Sequence, residues 1–311
     1  MERVVYLNGQ YVPERDARIS IFDSALMYGD MVFEITRSYQ TKPFLLNRHM
    51  DRLYASVRYA KINPSLDQGQ MLSATQETIE RNRESLGDHD FQIMHNVTRG
   101  GMDLYAELIT EGTSSVVTIN VIPLVRHIGR LASTYKTGVN CVTTTQGSVP
   151  ARYIDPKAKN RSRMNYKLAE IEAAHIEPGA MALLTDEHGY VTEGTGNNFF
   201  MVLDGQILTP KPHDILRGVS RGYCMELAES LGMKVIETDI EPYDVHQATE
   251  AWFTSTTIAM MPITRFNSVT VGCGEPGKIY SRLLHEWSES VGVDLLAQAN
   301  EYADAAENWT P

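Results

Sequence analysis

Asp155-Pro156-Lys157-Ala158-Lys159-Asn160-Arg161-Ser162-Arg163 is a polar stretch between an expected strand, Gly138 to Thr145, and a helical pattern marked by Met164, Leu168 and Ile171. A lysine placed between a strand and a helix can project into a cleft, where its amine acts as nucleophile and proton carrier. Two later stretches complete a constellation: Thr192-Glu193-Gly194-Thr195-Gly196-Asn197-Asn198-Phe199 and Leu216-Arg217-Gly218-Val219-Ser220-Arg221. Small residues after Glu193 let the backbone approach a flat ligand closely. A carboxylate there would favour the protonated form of a ring nitrogen. Val219 and Ser220 fall in the first turn of a helix led by Gly218, where unbonded N–H groups and the positive helix end suit a phosphate dianion.

Each piece has a plainer reading. Lys157 and Lys167 rival Lys159, Glu193 reads equally as a turn residue, and Gly218 as a turn former. Arg52 offers a charge-assisted contact to an anion. Ser255-Thr256-Thr257, after the strand Ala251 to Thr254, adds hydroxyl and N–H donors. Taken together, a lysine for an aldimine, a carboxylate for the pyridine nitrogen and a helix start for the phosphate are what pyridoxal 5'-phosphate (PLP) requires.

Outward from these motifs, Val4 to Val12 reads as a hairpin turning at Asn8-Gly9. Val32 to Tyr39 reads as a strand interrupted by Glu34 and Arg37, and Asn47 as the N-cap of a helix with Met50, Leu53, Val57 and Ala60 on its apolar face. A second helix runs through Met71, Leu72, Thr75 and Ile79. Strands follow at Phe91 to Arg99 and Ser115 to Pro123, broken by Gly100-Gly101. Hairpins are expected at Asp186-Glu187-His188-Gly189 and Asp204-Gly205. Val219, Tyr223, Leu227 and Leu231, four apart, mark a helix beginning near Gly218, and Gln298 to Pro311 reads as a fraying tail.

A chain of 311 residues with 42% apolar content should form two domains. The expected division is an N-terminal α/β domain at 1–122, a linker at 123–133 and a C-terminal PLP-binding domain at 134–311. A net charge of −11 and a pI near 5.3 argue against nucleic acid or an anionic membrane surface as partner. Cys141, Cys224 and Cys273 form no C-x-x-C pair, so a disulfide framework or metal site is not expected. With no signal-like or bilayer-length apolar run, a cytoplasmic location is expected.

The three stretches, joined by Tyr28-Gly29-Asp30-Met31-Val32-Phe33-Glu34, His49-Met50-Asp51-Arg52-Leu53 and Thr256 to Pro262, resemble the class IV (fold-type IV) PLP-dependent aminotransferases. That family includes branched-chain aminotransferases, D-amino acid transaminases, (R)-selective amine transaminases and aminodeoxychorismate lyase. The resemblance implies an α/β (α+β) fold of two domains, like that of D-amino acid aminotransferase, in a homodimer. It implies aminotransfer between an amino acid or primary amine and a 2-oxo acid, by a ping-pong mechanism. The alternative is a PLP-dependent lyase of the aminodeoxychorismate lyase type. The spacing from Lys159 to Glu193 resembles the family's and lifts Lys159 above Lys157 and Lys167.

By the same resemblance Lys159 is catalytic, Glu193 pairs with the pyridine nitrogen, and Leu216 packs on the ring. Arg52, Val219, Ser220 and Thr256 hold the phosphate, and Thr257 adds a contact. Tyr28, Phe33 and Arg37 lie where the family selects substrate. The family's tyrosine at the cofactor hydroxyl is not matched: Met164 holds the expected step and Tyr166 is two residues on. Asp90 and Gln92 stand near the place of the branched-chain tyrosine-x-arginine pair. The loop Gly100 to Tyr105 lacks the arginines of the other subgroups, and Arg99 reads as structural. A substrate carboxylate is expected at Arg37, Arg161 or Arg163.

Overall fold

A computed structural model describes residues 2–109 and 112–308. The chain forms two compact units. Unit 1 runs up to Leu124 and also takes in Ala158–Arg163; unit 2 comprises Val125–Lys157 and the chain from Met164 onward.

Unit 1 is a six-stranded antiparallel sheet. Its strands are β1 (Val4–Leu7), β2 (Gln10–Pro13), β3 (Met31–Tyr39), β4 (Lys42–Pro43), β5 (Phe91–Thr98) and β6 (Val117–Pro123), in the order β2-β1-β6-β5-β3-β4. Asn8 (φ 46°) and Gly9 (φ 87°) make the expected turn between β1 and β2, both in the left-handed region a type I′ turn demands. The helices are α1 (Ser24–Tyr28), α2 (Leu46–Tyr59) and α3 (Gln68–Leu86). Strict alternation in β5 and β6 sends Phe91, Ile93, Val97, Val117, Ile119 and Val121 to one face. There they pack with Met50, Leu53 and Val57 of α2 and Met71 and Ala74 of α3. The opposite face, with Gln92, Met94, Thr118 and Asn120, is only half-buried.

Two expectations fail in unit 1. Asn47 is not the N-cap of α2. The chain turns at Leu45 (φ 50°) and the helix starts at Leu46 without a side-chain cap, so Asn47 already lies in the first turn. Glu34 and Arg37 do not interrupt β3, which runs unbroken for nine residues. Both are buried, Glu34 against Arg52 and His49, and Arg37 with its guanidinium over the Tyr39 ring. The start of α3, by contrast, carries an Asp67–Gln70 capping box.

Unit 2 has strands β7 (Val139–Thr143), β8 (Met181–Thr185), β9 (Val191–Gly194), β10 (Asn198–Leu203), β11 (Gln206–Pro210), β12 (Val235–Thr238), β13 (Glu250–Ser255), β14 (Ala259–Phe266) and β15 (Val269–Thr270). They order as β12-β11-β10-β13-β14-β7-β8-β9, with β15 on β14. A pairing of Glu193 in β9 with Asn198 in β10 closes six of these strands into a ring. The helices are α4 (Val125–Gly129), α5 (Ala132–Thr137), α6 (Met164–Ile176), α7 (Val219–Ser230), α8 (Pro242–Gln247), α9 (Lys278–Val291) and α10 (Leu295–Asn308). Phe199, Phe200, Trp252 and Phe253 are fully buried at its centre, Phe200 stacked on Trp252 at 5.5 Å.

The segment expected as a linker, 123–133, instead carries α4 and the start of α5. It lies so close to α10 that a Cβ on Gly129 would sit 2.5 Å from the Tyr302 carbonyl oxygen. Gln298 onward does not fray but continues α10, because Leu295, Ala299 and Tyr302 bury one helical face; residues 309–311 lie outside the described residues. Met164, Leu168 and Ile171 of α6 are exposed. The buried stripe is Ala169 and Ala173, whose small side chains let the helix sit on Ala182 and Leu184 of β8. In α7 the buried stripe is Ser220, Cys224 and Ala228, one position beyond the apolar spacing of Val219, Tyr223 and Leu227. Among the described residues no helix is long and apolar enough to cross a membrane.

His95, in β5 opposite Glu34, is a buried titratable group with a clear consequence. The Thr75 hydroxyl donates to the Met71 carbonyl (2.7 Å), so its oxygen accepts from His95 Nε2 (2.8 Å). Nδ1 is then the buried acceptor, and it has no partner. Burial pushes the imidazole down to about 4. Between the ordinary histidine value and about 4, the unfolded chain takes a proton that the folded chain refuses. Stability therefore falls as pH drops through that window, by about 3 kcal/mol for His95, and levels off below it. His49, also pushed down by burial, adds slope of the same sign. His95→Leu should flatten this limb in urea unfolding followed from pH 7 to pH 4; an unchanged slope would exclude His95 as its source.

Candidate active site

Lys159 is held by its backbone on two sides. The segment around it runs antiparallel to the start of β3: Phe33 N–H donates to the Lys159 carbonyl (3.0 Å) and Arg161 N–H to the Met31 carbonyl (3.1 Å). From α2, Ser56 Oγ accepts the Lys159 N–H (3.0 Å) while donating to the Arg52 carbonyl (2.9 Å). Ser162 Oγ donates to the Gly29 carbonyl (3.1 Å), tying the same segment to the end of α1. With its backbone fixed, Lys159 directs its amine over the Phe33 ring, 4.7 Å from the centroid. The rival lysines are engaged elsewhere. Lys157 Nζ contacts Asp155 and the His213 carbonyl, both at 2.8 Å, and exposed Lys167 pairs with Glu170.

Arg52, one helical turn before Ser56, is aimed by Glu34. Its Nε and Nη2 donate to the two carboxylate oxygens at 2.8 and 2.6 Å, and His49 Nδ1 lies 3.1 Å from Glu34 Oε1. Burial by itself would raise the Glu34 carboxyl, but Arg52 and His49 outweigh it and hold the group well below the ordinary carboxylate range. Burial lowers His49, and the Arg52 and Lys159 charges add to this against the pull of Glu34. A neutral imidazole donating from Nδ1 to a charged Glu34 fits both shifts.

In unit 2 the carboxylate of Glu193, at the end of β9, is buried and receives three neutral donors. These are Tyr166 Oη (3.1 Å), Asn198 Nδ2 (3.0 Å) and the Leu216 N–H (2.9 Å). Asn198 Nδ2 also donates to the Leu216 carbonyl (2.9 Å), joining Glu193 to the turn that opens α7. Gly218 is the N-cap of that twelve-residue helix, with no side-chain cap on the first N–H groups of Val219 and Ser220. A Cβ on Gly218 would lie 2.1 Å from Asn198 Oδ1, so only glycine fits beside the amide. Thr256 and Thr257 fall in the turn between β13 and β14, two and three residues past Thr254, which pairs with Asn198.

The structure thus gathers Lys159, Phe33 and, through Ser56, Arg52 in unit 1, and Glu193, Leu216, Val219 and Ser220 in unit 2. Tyr28, at the end of α1, is 68% exposed, and its neighbour Gly29 takes the Ser162 hydroxyl. Arg37 lies on the same face of β3 as Phe33, four residues on, but is only 2% exposed. Arg99 bridges Asp30 and the Ala60 and Lys61 carbonyls, a bracing role. Sequence reasoning missed Ser56, Glu34 and His49, whose significance exists only once α2 lies on β3. It also missed Asn198, although the polar pair Asn197-Asn198 after Gly-Thr-Gly is unusual for an entering strand. Tyr166 is placed by the structure on Glu193.

Removing one partner of a buried ion pair strands the other charge. Glu34→Gln should lower stability by about 3–5 kcal/mol in urea unfolding at pH 7, and the apolar pair Glu34→Leu with Arg52→Met should recover most of it. A loss below about 1 kcal/mol in the single variant would mean that the pair behaves like a surface one.

Residues 31–266 match the family model for amino-transferase class IV. The chain is 32% identical over 286 residues to a putative branched-chain-amino-acid aminotransferase of Methanocaldococcus jannaschii, covering 92% of this chain and 95% of that one. It is 30% identical to a branched-chain-amino-acid aminotransferase of Pseudomonas aeruginosa, covering 95% of each. Among solved structures, the T.th. branched-chain amino acid aminotransferase with pyridoxamine 5'-phosphate superposes with a TM-score of 0.84 at 26% identity, over 98% of this chain and 97% of that one. Class IV aminotransferases use PLP, and the residues present fit it: no side chain caps the first N–H groups of α7, and Glu193 is a buried, oriented carboxylate. The chain belongs to the class IV PLP-dependent aminotransferases and is a transaminase.

Proposed function

We propose that this transaminase moves an amino group between an amino acid and a 2-oxo acid in two half-reactions, with Lys159 as the cofactor-bearing amine and proton carrier. The observation that carries this reading is the two-sided anchoring of the Lys159 backbone, while Lys157 and Lys167 have their amines engaged. When bound, PLP supplies an electron sink through its protonated ring nitrogen.

The chain's own residues do the rest. Glu193 would keep that nitrogen protonated; Tyr166, Asn198 and the Leu216 N–H are neutral donors that fix its direction. Leu216, whose N–H holds Glu193, would pack on the ring. Val219 and Ser220 at the start of α7, together with Thr256 and Thr257, would hold the phosphate, and Arg52 would contribute charge in a direction set by Glu34. Lys159 Nζ carries the proton to and from the substrate Cα. Tyr28 and Phe33 flank the lysine segment on the substrate side.

The names of the two curated relatives make branched-chain amino acids the first donors to test. A homodimer is supported by the apolar side chains that single chains leave exposed on α1 (Leu26, Met27, Tyr28) and α6 (Met164, Leu168, Ile171).

Lys159→Ala should lower turnover by about 10²–10⁴-fold or more, the range expected for loss of a positioned proton carrier, in an assay with amino donors and 2-oxoglutarate. Lys157→Ala and Lys167→Ala should stay near wild type. Activity surviving in the Lys159 variant would end the assignment. Pyruvate released without any 2-oxo acid acceptor would favour the lyase reading instead.

A further inference from the structure

The lysine segment carries two more cations. It bridges β3 at Asn160 and then turns tightly, Arg163 N–H donating to the Arg161 carbonyl (2.8 Å). All three converge on Phe33. The Arg161 guanidinium carbon lies 3.6 Å from the ring centroid, Lys159 Nζ 4.7 Å and the Arg163 guanidinium carbon 5.1 Å. Asn160 and Ser162, between them in sequence, bond the Ala158 and Gly29 carbonyls instead. Three cations gathered on one ring are costly in any chain, and they stand out in one of net charge −11.

Among the described residues Arg161 pairs with no carboxylate, and its protein contacts are the Phe33 ring and Met94 Sδ (3.2 Å). A centroid distance of 3.6 Å requires face-on stacking, which presents the N–H fork edgewise, the geometry that grips a carboxylate by two parallel bonds. Arg161 remains exposed to solvent; partial desolvation at the ring and the neighbouring Arg163 both disfavour its charge, which an arriving anion would relieve. Arg37, the other arginine on this face of the sheet, is buried over Tyr39 and less able to meet a ligand.

We propose that Arg161, stacked on Phe33 beside Lys159, binds the substrate carboxylate and so restricts this enzyme to amino acids and 2-oxo acids in preference to simple amines. This rests on Lys159 being the cofactor-bearing lysine, and it names the group that reads the substrate next to it. Lysine cannot replace the fork, because an ammonium neither stacks on the ring nor presents two parallel donors.

The test is isothermal titration of the PLP holoenzyme with 4-methylvaleric acid and with its neutral amide, for wild type, Arg161→Met and Arg161→Lys. The wild type should bind the acid more tightly than the amide. Arg161→Met should lower the acid-to-amide affinity ratio at least about tenfold, and Arg161→Lys should fall between. In parallel, the ratio of half-reaction rates for DL-leucine over 3-methylbutylamine, read from loss of the visible cofactor band, should fall in the same order. An unchanged ratio in Arg161→Met, an equal loss for acid and amide, or a wild type with no preference for the acid would overturn the proposal. Should Arg161→Met fail to fold or to keep its cofactor band, Arg161→Lys decides alone, and wild-type ratios there overturn it. The titration needs no turnover, so a wild type that binds the acid yet never loses its band with any amino acid would indict the Lys159 reading and leave that of Arg161 standing.

Discussion

The candidate site depends on one constraint: both backbone groups of Lys159 are bonded, the carbonyl by β3 and the N–H by Ser56 of α2. A lysine side chain left to itself loses about 1.5–2 kcal/mol of rotamer freedom when it is held in place. Anchoring its backbone to a strand and a helix at once settles the direction of departure before any ligand arrives. The same geometry explains why Ala158–Arg163 clusters with unit 1 although the chain on either side of it belongs to unit 2.

Beneath the lysine segment, α2 is locked to β3 by the buried Glu34–Arg52 pair with His49 on its flank. Such a pair is expensive to bury and is weak evidence for stability by itself. Its value here is directional, because a two-point carboxylate contact leaves the guanidinium few orientations. Unit 2 follows the same logic with neutral partners. Asn198 bonds Glu193 and Leu216 together, and the β9–β10 pairing that closes the strand ring brings Glu193 and Asn198 opposite one another. Groups on rigid strands and at a helix start are held more tightly than groups on loops.

Much of the strand framework was legible because a half-buried strand alternates strictly and because Asn8-Gly9 and Asp204-Gly205 are turn dipeptides with a mechanism. The helix faces were less legible. Apolar spacing pointed to Met164, Leu168 and Ile171, whereas packing chose the alanines of α6, since small side chains permit close approach to a strand. Leu45 took a left-handed conformation that propensity would not assign to leucine, and this moved the start of α2 ahead of Asn47. In the site, Lys159, Glu193 and Gly218 could be singled out because their chemistry is local to their motifs. Ser56, Asn198 and the stacking of Arg161 on Phe33 could not, because each acquires meaning only from a neighbour distant in sequence.

Every role assigned in the site turns on which lysine carries the cofactor. Reducing the yellow holoenzyme with sodium borohydride makes that bond permanent, and peptide mass mapping then locates it. The phosphopyridoxyl group is expected on Lys159 and on no other lysine. Finding it on Lys157 or Lys167, or finding no modified lysine in an active preparation, would contradict the account.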